Sequence, residues 1–147
     1  MRESYQRLSQ VEQLRESLRR QVVQDTRDLH RAVNTDIAQV QARRQTIVSS
    51  QSALEATQIG YQVGTRSIVD VLDAQRRLYG AVRDYNNARY DYILDNLRLK
   101  QAAGTLSPAD LEDLSRYLNP TYDPDRDFLP PDLAPTAAEL PGTRGGR

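Results

Sequence analysis

The sequence has 147 residues, enough for one ordinary domain, with 38% hydrophobic side chains, 8 Tyr, 1 Phe and no Trp, and a mean hydropathy of −0.71. That is too little large apolar material for a thick layered core, whereas elongated helices packed in pairs need less. Its 20 basic and 20 acidic side chains sum to zero formal charge, which argues against nucleic acid or an anionic membrane surface as partner, and the absence of Cys excludes disulfides and thiolate metal sites.

Residues 1–59 contain neither Gly nor Pro. An uninterrupted helix of that length would run roughly 90 Å, far beyond the usual globular helix, and so predicts a coiled coil or bundle. The apolar spacing agrees. Val33, Val40, Ile47, Leu54 and Tyr61 recur at steps of seven, with Leu29 and Ile37 broadening the stripe, and a sustained seven-residue period makes a narrow seam for a partner helix. Upstream the seam is weaker, where Leu8, Val11, Leu14, Leu18 and Val22 step by three and four.

The run Gly60-Tyr61-Gln62-Val63-Gly64-Thr65-Arg66-Ser67 interrupts the pattern. Gly64 suits the residue just past a helix end, where φ is positive. Ser67, three residues before Asp70, forms a capping box in its Asp version. The reading is therefore a helix over 4–63, a turn at 64–67 and a second helix over 68–103. So short a connection makes the pair antiparallel.

The second helix has its own series, Val71, Leu78, Tyr85, Tyr92 and Leu99, with Ala74, Ala81 and Ala88 as small companions. Gly80 is expected to mark a close helix approach. Gly104 ends the helix, and Ser107-Pro108-Ala109-Asp110 starts another, predicted over Pro108–Leu118. From 119 to 147 six of the seven prolines and a Gly-rich end predict a disordered tail. No repeat beyond the heptads is expected. The fold class is all-α: a long antiparallel helical hairpin, a short helix at 104–118 and the tail.

Chemistry is sparse. His30 is the only His, there is no Gly-rich phosphate loop, and no cofactor or catalytic role is expected. No stretch reaches the roughly 18–20 apolar residues of a membrane-spanning helix, and Met1–Arg7 has no apolar segment behind it to make a signal peptide.

The segment Ala53–Leu106 resembles the C-terminal half of the TolC family of outer-membrane efflux channels. The residues that carry the resemblance are Gly60 through Ala74, then Leu78-Tyr79, Asn87-Ala88-Arg89-Tyr90 with Tyr92, and Ala103-Gly104-Thr105-Leu106, in that order and spacing. The resemblance implies a homotrimer in which each protomer has two similar halves, with a β-barrel in the outer membrane and a helical tunnel across the periplasm. This chain then supplies one tunnel hairpin, with its tip at Gly64, Thr65, Arg66 and Ser67 and its short third helix in the belt around the tunnel. The barrel and the first half lie outside it. Two tip aspartates that narrow the entrance in the family match Asp70 and Asp73. A tyrosine and an arginine that tie the closed tip together match Tyr61 and Arg66, with Ser67 standing where Thr is usual. The implied partners are a periplasmic adaptor and an inner-membrane pump, and the function is a passive conduit for efflux or type I secretion.

Plainer roles stand beside these. Asp70 suits the positive end of a helix dipole, Asp73 a solvated face, Tyr61 the heptad seam, and Arg66 an open turn. The tyrosines at 85, 90 and 92 suit packing. A stand-alone or adaptor-like coiled-coil interaction protein is the rival reading, although adaptors flank their hairpins with β-rich lipoyl-like segments and none is visible here.

Overall fold

The computed structural model describes residues 2–118, 120–123 and 127–134. Among these there are three helices and no strand: α1 (Arg2–Gln62), α2 (Ile68–Ala102) and α3 (Pro108–Ser115). None is long and apolar enough to cross a membrane. The chain divides into two compact units. The upstream unit joins Met1–Gln41 to Asn87–Ser115, and the turn unit joins Ala42–Asn86 to Arg116–Arg147.

In the turn unit the two heptad series meet. Ile47 of α1 is completely buried against Leu78, Ala81 and Val82 of α2, and Leu54 and Tyr85 pack around them. Burying an aliphatic side chain of this size is worth about 1.5–3 kcal/mol, so this cluster holds the helix pair. Arg43 lies 3.9 Å from Asp84 across the seam, a contact between exposed groups that adds little. Gly80 has open space where a Cβ would stand, so the close approach expected there is absent. The small residues Ala81 and Ala88 are the buried ones instead.

The turn unit also contains part of the stretch expected to be disordered. Phe128, Leu129 and Leu133 pack against the Ile47 cluster, and the rings of Tyr79 and Phe128 sit 4.9 Å apart. Proline content argues for disorder only where nothing apolar is available to bury, and these three side chains provide it. Residues 119, 124–126 and 135–147, on which the rest of that expectation falls, lie outside the described residues.

In the upstream unit Ala88 is buried, and Val33, Val40, Tyr92 and Leu99 are half-buried. Leu8, Val11, Leu14, Leu18 and Val22 remain exposed. Helix α2 ends at a glycine with φ of 70°. The Thr105 N–H donates to the Lys100 carbonyl at 2.9 Å and the Gly104 N–H to that of Gln101 at 3.0 Å, the paired bonds of a Schellman end. Ser107 then caps α3, its N–H donating to Asp110 at 2.8 Å. The ammonium of Lys100 bonds Asp110, and with Ser107 it holds that carboxyl below the usual aspartate range. Helix α3 stops at Ser115, short of the expected Leu118.

One carboxylate works against this packing. Asp36 has a buried Oδ2 with no hydrogen-bond partner, and desolvation, followed by the charges of Asp95 and Asp91, raises its pKa. A raised folded-state pKa means that the folded form binds the proton more tightly. The penalty is therefore present at neutral pH and is relieved as pH falls through the raised value. Asp36→Asn is expected to raise the melting temperature at pH 7, with the gain shrinking toward about pH 4. Equal melting temperatures at pH 7 would mean that the lone oxygen costs nothing.

Candidate functional site

The connection between α1 and α2 is built from local bonds. Gly64 takes a φ of 79°, which lets its N–H donate to the Tyr61 carbonyl at 3.0 Å and the Thr65 N–H to the Gly60 carbonyl at 2.8 Å. The Thr65 hydroxyl donates to the same Gly60 oxygen at 3.0 Å, as does the Arg66 N–H at 3.1 Å. One carbonyl thus gathers three donors and closes the end of α1.

The start of α2 is equally determined. The Asp70 N–H donates to the Ser67 hydroxyl oxygen at 3.2 Å. Ser67 returns its N–H and its hydroxyl to Asp70 Oδ2, both at 2.9 Å. This reciprocal box satisfies donors that the first turn leaves open. The Ser67 bonds, and behind them the Arg66 charge, hold the Asp70 carboxyl below the usual aspartate range. Asp70 is therefore ionised at neutral pH. Asp73, one turn on, accepts from Arg76 at 3.0 Å.

Arg66, Asp70 and Asp73 line one open groove of the turn unit, together with Arg77 and hydroxyl residues of α1 that include Thr46, Ser49 and Thr57. Those three hydroxyls already donate to carbonyls one turn back in α1, so the charged groups are the reactive edge of the groove. Tyr61 is not part of its lining. Although it stands on the heptad series, it is 48% exposed, so seam packing is not its role within this chain. The structure thus brings three of the four expected gating residues onto one groove and leaves the fourth outside it.

Two features of the turn escaped the reading of the sequence. Gly60 lies inside α1, as the helix expected over 4–63 requires, but its purpose was not read. A Cβ there would meet Arg66 Cγ at 2.6 Å, so its role is to let the Arg66 stem lie against the helix. The second is a repeat. Gly64-Thr65-Arg66-Ser67-Ile68-Val69-Asp70 and Gly104-Thr105-Leu106-Ser107-Pro108-Ala109-Asp110 share the pattern G-T-x-S-x-x-D. Both build the same glycine end, the same threonine bond to a carbonyl five residues back and the same serine–aspartate cap. The signal is present in the sequence at a spacing of forty, against the expectation of no repeat beyond the heptads.

Among the described residues no cluster of His, Cys, Asp or Glu is arranged to hold a metal ion. His30 contacts Asn34 on the exposed face of α1. The groove can present the Asp70 and Asp73 side chains beside the guanidinium groups of Arg66 and Arg77.

Comparison with known proteins gives a consistent result. Residues 2–105 match the family model described as outer membrane efflux protein. The chain is 52% identical over 103 residues to the outer membrane protein TolC of Vibrio cholerae, covering 70% of this chain and 24% of that protein. It is 46% identical over 104 residues to TolC of Escherichia coli, covering 71% and 21%. It is also 31% identical over 93 residues to the alkaline protease secretion protein AprF of Pseudomonas aeruginosa, covering 63% and 19%. The chain therefore spans about a quarter or less of the length of these relatives.

Proposed function

This chain belongs to the outer membrane efflux protein family, and on that footing we propose that it is the tip-forming hairpin of a trimeric channel for efflux or type I secretion. The relatives named above are an outer membrane protein and a protease secretion protein, which supports both the route and the location: outer membrane for the whole protein, periplasm for this segment. The conduit is passive and carries no catalytic site. A periplasmic adaptor and an inner-membrane pump engage it and supply the energy.

The entrance is formed at the turn Gly64–Ser67. Residues three apart share a helix face, so a threefold axis converts Asp70 and Asp73 into two acidic rings, which favour cations over anions. Arg66 serves as a tie to a neighbouring helix, since its planar fork matches a carboxylate or carbonyl. Tyr61 serves as a second tie, and its exposure in this chain leaves the ring free for such a contact. Breaking both ties lets the hairpins splay and the entrance widen. The observation that carries the reading is the shared groove of Arg66, Asp70 and Asp73 beside a turn fixed by its own bonds.

Fractionation of cells making the full-length protein tests this reading at its base. The expected result is a trimer in the outer-membrane fraction, recognised by an antibody to residues 53–106. A soluble product of about the chain's own 16.7 kDa in place of that trimer overturns the channel reading in favour of a free coiled coil.

A further inference from the structure

We propose that Asp127–Ala134 is a strap that latches α1 to α2 across the turn unit and thereby resists separation of the two helices. Its contacts differ on its two sides. Toward α1, Asp132 accepts from the Arg44 guanidinium through both Nε, at 3.0 Å, and Nη2. The Leu133 carbonyl accepts from Gln51 Nε2 at 3.2 Å. Toward α2, Phe128 sets its ring against that of Tyr79. Arg44 and Gln51 are seven residues apart and flank Ile47, so the polar anchors bracket the most buried side chain of the seam.

Between these anchors the strap adds its own apolar side chains to the cluster that joins the helices. Pulling α1 from α2 must therefore open contacts made by three segments of chain. The strap is also shaped in advance. The Pro130 carbonyl accepts from the Leu133 and Ala134 N–H groups at 2.8 and 3.0 Å, which closes a turn, and Pro130 is itself buried. Two successive prolines restrict the released segment, so less freedom is lost when it binds.

The latch is releasable. Arg44 and Asp132 are about half exposed, within reach of salt and competing ions, and the apolar anchors Phe128, Leu129 and Leu133 are themselves only partly buried. A contact of this kind suits a part that must hold a hairpin closed and yet let go. The consequence for opening rests on the tip-gating reading above, whereas the latching itself does not.

The test uses the full-length protein. Phe128→Ser with Leu133→Ser removes the apolar anchors. Asp132→Arg removes the polar one, and adding Arg44→Asp restores it with the charges exchanged. Amide hydrogen exchange over residues 44–54 and 75–85 is expected to quicken about tenfold in the apolar variant. It should quicken in Asp132→Arg and recover in the exchanged pair. Exchange unchanged in every variant overturns the latch. In planar bilayers the apolar variant should show a higher open probability at unaltered ion selectivity. Faster exchange with unaltered open probability overturns the gating consequence. If instead neutralising Asp70 and Asp73 leaves selectivity intact while the exchange results hold, the tip reading fails and the latch stands.

Discussion

A full-length trimer carrying Asp70→Asn and Asp73→Asn is expected to lose its cation preference and its block by multivalent cations, the block weakening about tenfold or more. The reason lies in how charge is held at the turn. The Ser67 bonds hold the Asp70 carboxyl below the usual aspartate range, and in the proposed trimer three copies around an axis would concentrate that charge in a narrow passage. Asparagine is the appropriate replacement because its amide oxygen can still accept from Ser67, so the cap and the turn survive while the charge is lost. Arg66 and Arg77 remain on the groove, and the local charge should change sign as well as size. The check is reversal potential in a salt gradient, with a multivalent cation titrated from the tip side. A double variant that selects and blocks like the parent means that these carboxylates do not face the passage.

The largest stability effect is expected at Ile47. It is 0% exposed in the turn unit's cluster, so Ile47→Ala removes three buried carbons and leaves a cavity between the helices. The expected loss is about 2–5 kcal/mol, against roughly 1 kcal/mol for Ile47→Val. Ile37 broadens the same sequence stripe but is 42% exposed, and Ile37→Ala should change stability by less than about 0.5 kcal/mol. Denaturant midpoints of the three variants separate the cases. Equal losses at 37 and 47 would mean that stripe membership, and not burial, sets the energy.

The two connections between helices were legible because their causes are local. A glycine with positive φ, a serine and an aspartate three residues on are sufficient to stop one helix and start the next, and the bonds that do so at Ser67 and Asp70 span three residues. The family resemblance was legible for the same reason, since it rests on a contiguous turn with its flanking series. The seam was legible from its period of seven, while the meeting of Ile47 with Leu78 came from the structure.

Other features depend on surfaces that exist only after the helices pair. Tyr61 shares the period of Ile47, yet it sits in the last turn of α1, where the chain departs into the connection, and so it stays exposed. Asp36 is one more acid on a helix until pairing desolvates it and, secondarily, brings it near Asp95 and Asp91. The proline-rich stretch reads as disordered until Arg44 and Asp132, 88 residues apart, are brought together beside the apolar cluster of the helix seam. What this sequence determined by itself was therefore the helical class, the positions of its turns and the seam, all governed by interactions over a few residues. What the tertiary structure decided was which members of the seam are buried, which charges share a groove and where the strap lies, because each of these needs a surface built from residues distant in the chain.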